Sequence, residues 1–287
     1  MNLMQLAGSC ELGLIYALVA IGVYLSFRVI DFPDLTVDGT FPLGAAVAAI
    51  LILNGCNPLL ASGLAVLAGA LAGLVTGFLN VRWQILGLLA GILTLTALYS
   101  INLRVMGNRP NLAIMDEITV FHFGPVLVLL LTAVVLVVLA LHFFFASHFG
   151  LALRAGAINP KAGAAYGINV NVVKLTVLAI SNSLVALAGA LFAQSQGFAD
   201  ISMGTGTIIV GLASVIMGEA FFHPRSVTLA LLACVVGSVV YRFVISLALN
   251  SGEIGLKATD LNLITAVIVA GTMVLTKMRR GVRNDRT

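Results

Sequence analysis

The stretch SHFGLALRAGAINPKAGAAYGINVNVVK, Ser147–Lys174, separates two long apolar runs near the middle of the chain. It carries His148, Arg154, Lys161 and Lys174 and no acidic residue. A cationic break between apolar runs reads as a cytoplasmic loop, because basic loops stay on that side of the bilayer. Its interior, about Leu151–Tyr166, is rich in Ala and Leu and predicts a short helix lying along the membrane surface. Asn159-Pro160 supplies a cap and a first-turn signal for the second half of that helix. Such a helix is a handle for a soluble partner.

Outward from this loop the composition sets the class. The chain has 287 residues, 60% of them hydrophobic and only 9% charged, and its mean hydropathy is +1.12. A soluble domain of this size needs far more charge on its surface. The apolar runs are about 18 to 25 residues long and end at Gly, Pro, Asn or charge, which suits one bilayer crossing each at 1.5 Å per residue. The expectation is an all-α integral membrane protein: a polytopic helical bundle of about nine transmembrane segments, one of them broken, in a single domain over residues 1–287. Period-two alternation is absent, which argues against an outer-membrane barrel. The net charge of +4 follows from loop Arg and Lys, and nothing in the chain resembles a nucleic-acid signature.

The first residues, MNLMQLAGSCELG, lack a basic n-region, so the run from Leu12 to about Ile30 reads as a retained span and not as a cleaved signal. DFPDLTVDGTFPLGAA follows, with Asp31, Asp34 and Asp38, two Thr, two Pro and Gly39 inside or beside a membrane segment. Backbone without helical hydrogen bonds is tolerated at membrane depth only against protein or a water-filled cavity. One reading makes this break part of a translocation pathway, with Thr36, Val37, Asp38, Thr40 and Phe41 as its residues. The other makes it an interfacial loop with polar caps.

Further spans are expected over about Leu59–Leu79, Trp83–Tyr99, Pro125–Phe145, Val172–Gln194, a short piece near Ile208–Met217, Val227–Leu249 and Leu261–Thr276. Gly69, Gly73 and Gly77, four apart, line one side of the third helix and favour close packing. Asn80-Val-Arg82 is expected as a turn. Hydroxyls such as Thr94 and Thr96 are expected to bond their own backbone. Ser100–Gly124 and the polar stretch QSQGFADISMGTGT are assigned to the external side. Eleven of the fifteen basic residues then fall on the cytoplasmic side: Arg28, Arg82, Arg154, Lys161, Lys174, Arg225, Lys277, Arg279, Arg280, Arg283 and Arg286. This orients the N-terminus outside and the basic tail over 277–287 inside.

Arg242 alone sits within a span, where an unpaired charge costs about 2.5–3.5 kcal/mol at the helix centre. It either snorkels to the outer surface or serves as counter-ion to Asp200, Glu253 or a substrate carboxylate. Glu219 reads as an interfacial partner, and His122 and His142 as interfacial histidines. Cys10, Cys56 and Cys234 show no metal spacing and read as inert thiols, with a Cys10–Cys56 approach near the outer surface as the alternative. No metal site is expected.

The chain lacks a P-loop, an H-E-x-x-H motif and a G-x-S-x-G elbow, and no paired Asp set lies deep in facing spans. It catalyses no bond chemistry on this reading, and energy arrives from another subunit.

GLIYALVAIGVYLSFRV (Gly13–Val29), followed by FPLGAAVAA (Phe41–Ala49), resembles the start of bacterial ATP-binding-cassette importer permeases of the branched-chain amino acid and ribose type. AGAINPKAGAAYGINVNVVKLTVLAISNSLVALAGALFAQSQG (Ala155–Gly197) is similar to their coupling segment. FPDLTVDGTFPLGAA (Phe32–Ala46) is most similar to a tryptophan/tyrosine-type subgroup whose substrate is uncharacterised. Gly218 is followed by Glu219-Ala-Phe-Phe where the branched-chain members have a Gly-Gly turn, which weighs against leucine, isoleucine or valine as substrate. The resemblance implies a permease in the bacterial inner membrane, moving an amino acid inward by alternating access. Its implied partners are a second copy of the chain or a paralogue, two ATPase subunits holding ATP and magnesium, an external solute-binding protein and the lipid bilayer. The chain itself would bind no cofactor. The resemblance carries ATPase coupling onto Arg154, Asn159, Pro160, Lys161, Ala164 and Tyr166. An ion-coupled secondary transporter and a non-transporting membrane scaffold are the rival readings.

Overall fold

In hydrocarbon every backbone polar group must be satisfied within the protein, so long apolar runs become helices. The computed structural model describes residues 3–222, 224, 226–250 and, beyond these, 267, 270 and 271. Its helices are α1 (Leu3–Tyr24), α2 (Val37–Leu53), α3 (Pro58–Trp83), α4 (Gly87–Val105), α5 (Val126–Ala146), α6 (His148–Ile158), α7 (Pro160–Ala165), α8 (Val170–Gln196), α9 (Thr207–Phe222) and α10 (Val227–Asn250). A π-helical turn, Leu25–Val29, prolongs α1, and a 3₁₀ turn covers Val120–Phe123. Six of the helices are long and apolar enough to cross a membrane, while α2 and α9 are shorter apolar helices. The protein is an all-α integral membrane protein. The expected last span and tail, the turn over 251–260 with Glu253, and both His223 and Arg225 fall outside the described residues, apart from 267, 270 and 271.

Helix ends follow local chemistry. Asn57 Oδ1 accepts from Leu59 N at 2.9 Å and Pro58 opens α3, while Asn169 Oδ1 accepts from Asn171 N at 3.1 Å ahead of α8, both N-caps. Gly197 ends α8 in the left-handed region at φ 77°, a conformation with little cost for glycine. Some expected boundaries move. The first helix begins at Leu3, well before Leu12, and α2 begins at Val37. Asn80-Val-Arg82 is the last turn of α3 and not a separate turn. Asn80 stays helical because its side chain donates to Ile85 O at 2.8 Å, bridging the true turn that follows.

α1 and α8 form the centre of the bundle. In the most apolar window of α1, 72% of residues are buried, against 22% for α5, which buries one stripe from Leu130 to Phe145 and turns its other Leu, Val and Phe side chains outward. Small residues bring the central backbones together. A Cβ on Gly69 would meet Asn182 O, and one on Gly73 would meet Leu178 O, so α3 rides on the backbone of α8 along the expected glycine stripe. α2 and α8 are related reciprocally: Gly44 abuts Ala186 O and Gly189 abuts Phe41 O. Small-residue contact of this kind drives helix association where lipid is as apolar as the side chains.

Two three-residue strands, β1 (Asn111–Ala113) and β2 (Phe198–Asp200), pair antiparallel with Asn111 opposite Asp200. They join the two polar breaks that were assigned to one side of the membrane. Strands this short leave no alternation for a sequence reading to find.

Candidate functional site

The chain between α1 and α2 is irregular as its composition dictates. Asp31 adopts the left-handed region at φ 50°, which Asp tolerates better than most residues. Phe32 N then returns to Ser26 O at 2.8 Å, and Asp34 is fully buried. One Asp34 carboxylate oxygen accepts from Thr36 N at 3.0 Å, the other from Asn182 Nδ2 at 2.7 Å. Thr40 Oγ1 donates to Asn182 Oδ1 at 2.8 Å. Beside them the hydroxyls of Thr36 and Thr76 lie 2.7 Å apart, and Thr76 donates to Thr94 at 2.9 Å. Asn102 Nδ2 donates to Gly39 O at 3.1 Å. The network ties the broken lead-in of α2 to α3, α4 and α8. Among the described residues no cation forms an ion pair with Asp34, and neutral donors alone hold it.

Thr36, Val37, Thr40 and Phe41 are fully buried within the subunit. Asp38 is half-buried and acts elsewhere. Its carboxylate accepts from Gly206 N at 3.2 Å and Ile208 N at 2.8 Å at the start of α9. An anion there satisfies free amides and faces the positive end of the helix dipole. Asn182, Thr76 and Asn102 went unrecognised in the sequence, although an Asn within an Ala-rich span is itself a signal for a buried partner.

Thr94 does bond its own backbone, at Ala90 O, and Thr96 bonds Ile92 O. Phe41 stacks on Tyr16 of α1 at 5.6 Å and 29°, Phe192 of α8 meets both rings, and Arg242 of α10 lies over Tyr16 with Cζ 3.9 Å from the ring centroid. Arg242 is partly covered and folded onto an aromatic face.

At the opposite end of α8 the basic loop forms two short helices and not one. Ser147 Oγ caps α6 by accepting from Gly150 N at 3.2 Å, and Asn159 Oδ1 caps α7 by accepting from Ala162 N at 3.1 Å, with Pro160 first in the helix. A Cβ on Gly163 would meet Gly156 Cα at 2.8 Å, so the two helices fold tightly together. Leu153, 1% exposed, roots α6 in the core. Asn159, Pro160, Lys161, Ala164 and Tyr166 are exposed, Tyr166 at 87%. Arg154 is half-buried, and its Nε has no hydrogen-bond partner among the described residues. Nearby, Arg28 of the π-helical turn pairs with Glu219 of α9, the interfacial partnership expected of Glu219.

On the β1–β2 side a cavity of about 340 Å³ is lined by residues including Glu117, Phe121, His122 and Gln194. On β2, partial burial opposes ionisation of Asp200, but hydrogen bonds from the Ser202 hydroxyl and amide and from Asn111 outweigh that and hold its carboxyl below the usual range. All three cysteines are free, Cys234 being buried.

Residues 6–276 match the family described as branched-chain amino acid transport system permease component. The chain is 39% identical over 258 residues, 89% of its length and 86% of the relative's, to the tyrosine transport system permease protein of Clostridioides difficile. It is 34% identical over 180 residues, 61% of its length and 62% of the relative's, to an uncharacterized protein of Rickettsia prowazekii. No solved structure matches it. A bundle of apolar helices, an exposed basic helix pair on one end and a family match over nearly the whole length agree, and the chain belongs to the family of branched-chain amino acid transport system permease components.

Proposed function

We propose that the chain is the membrane half of an amino acid importer of the bacterial inner membrane, working as a homodimer with two ATPase subunits and an external solute-binding protein. ATP and magnesium reside on the ATPases; this chain binds no cofactor. It crosses the bilayer nine times, N-terminus outside and C-terminus inside, and its solute is an aromatic amino acid, as the name of the 39% identical relative suggests.

The exposed pair α6 and α7 carries the reading. Asn159, Pro160, Lys161, Ala164 and Tyr166 offer a basic, aromatic face to a soluble partner, while Leu153 connects the same pair to the core. ATP-driven closure of the partner subunits pulls on this pair through Arg154 and its neighbours. The pull reaches α8 and the π-helical turn of α1, which α6 contacts. A π turn lowers the cost of local rearrangement and is frequent at functional sites. Directly beyond the π-helical turn, Thr36, Val37, Asp38, Thr40 and Phe41 form the element that changes between outward-open and inward-open states, because the break before α2 is held by exchangeable polar bonds.

Reconstitution of the permease with its ATPase subunits and binding protein in liposomes tests this. Uptake of tyrosine or another amino acid should require ATP and the binding protein and survive collapse of proton and sodium gradients. Uptake that follows an ion gradient without ATPase subunits would establish a secondary transporter instead. Absence of any copurifying ATPase would establish a scaffold.

A further inference from the structure

Arg242 lies four residues beyond Ser238 on α10, one turn on and on the same face. Ser238 Oγ donates to Gly13 O at 2.8 Å, and a Cβ on Gly13 would meet Val239 Cα at 2.9 Å, so α10 presses directly on α1. That contact sets the guanidinium on the Tyr16 ring at 3.9 Å, within an aromatic group completed by Phe41 and Phe192. The ring that carries the cation is thus packed by α2 and α8 on its other contacts.

Stacking occupies the flat face of a guanidinium and leaves its in-plane N–H donors to bond elsewhere. The Nε of Arg242 is buried and has no hydrogen-bond partner among the described residues, and no described carboxylate forms an ion pair with it. Asp200, one of the partners weighed from sequence, is held instead by Ser202 and Asn111. A charged side chain within a membrane span marks a pathway or a ligand. We propose that the in-plane edge of Arg242 binds the α-carboxylate of the transported amino acid at the edge of the packed α1–α10 seam. The planar N–H fork matches a carboxylate with two parallel bonds, which an amine cannot form. Tyr16 holds the fork in place, so little side-chain freedom is lost on binding. This rests on the importer reading above, and it places recognition in the membrane subunit as well as in the binding protein.

The test uses the purified permease–ATPase complex without binding protein and measures tyrosine and tyramine binding by equilibrium dialysis. These two ligands differ only by the carboxylate. The complex should prefer tyrosine by about tenfold to a hundredfold, as expected for charge-assisted bonds. Arg242→Gln should abolish that preference and Arg242→Lys should keep part of it, while Glu253→Gln leaves it unchanged. A preference that survives in R242Q overturns the proposal, as does a wild-type complex with none, or a preference that strengthens in E253Q. Uptake in the presence of binding protein reads the importer function separately: a complex that takes up no amino acid refutes the importer while the dialysis result still decides the carboxylate site.

Discussion

Asn182 of α8 grips both sides of the break before α2: its Nδ2 donates to Asp34 at 2.7 Å and its Oδ1 accepts from Thr40 at 2.8 Å. One side-chain amide therefore satisfies a buried carboxylate and a buried hydroxyl at once.

Asn182→Val should leave Asp34 short of a donor, at a cost of about 1–3 kcal/mol. Thermal unfolding of the purified protein in detergent should shift down by several degrees. The exchange variant carrying both Asp34→Asn and Asn182→Asp should recover part of the loss, because the bond between the two positions can form in reverse while position 182 still accepts from Thr40. An N182V protein as stable as wild type would remove the network from the forces that hold the fold.

Gly73→Leu should cost about 1–3 kcal/mol, since a side chain there meets the Leu178 carbonyl of α8 and the helices must part. Gly63→Ala, on the same helix with open space around it, is the control and should be neutral or stabilising by up to about 1 kcal/mol. Yield of folded protein and its melting temperature compare the two.

Deleting Arg154–Lys161 should allow membrane insertion but separate ATP hydrolysis from solute uptake in the reconstituted complex. Asn159→Ala, which removes only the cap of α7, should weaken coupling less, in line with about 1 kcal/mol for a lost cap. Unchanged uptake in the deletion would move the coupling role elsewhere.

Arg28→Glu should impair uptake by setting two acidic groups against each other between the π-helical turn and α9. The reversed pair, Arg28→Glu with Glu219→Arg, should restore more than either single change. Equal activity in all three variants would show that the ion pair is a passive surface contact, as many exposed pairs are.

The lowered carboxyl of Asp200 predicts a pH dependence at the paired strands. A group that ionises more readily in the folded state adds stability above the ordinary Asp value near 3.9, and that contribution disappears as pH falls through the lowered value. Amide exchange of Leu112 and Ile114, whose N–H groups face β2, should accelerate across that acidic range in the wild type, and Asp200→Asn should show no such dependence.

Composition and the run lengths were enough to establish a helical membrane protein, and the basic patch of Ser147–Lys174 was enough to mark the loop proposed to dock a partner. The Asn159-Pro160 cap and the Gly69–Gly77 stripe were readable because caps and small-residue spacing act within a few residues of the chain. The meeting of Asn182 with Asp34, of Asp38 with the start of α9, and of Arg242 with Tyr16 was not readable, because each pair is far apart in sequence. Those contacts arise only when glycine-paved helices close on one another, bringing polar groups together where no water can satisfy them. Local pattern thus determined the class, the loop and the caps, and tertiary packing alone decided which polar side chains share an interior.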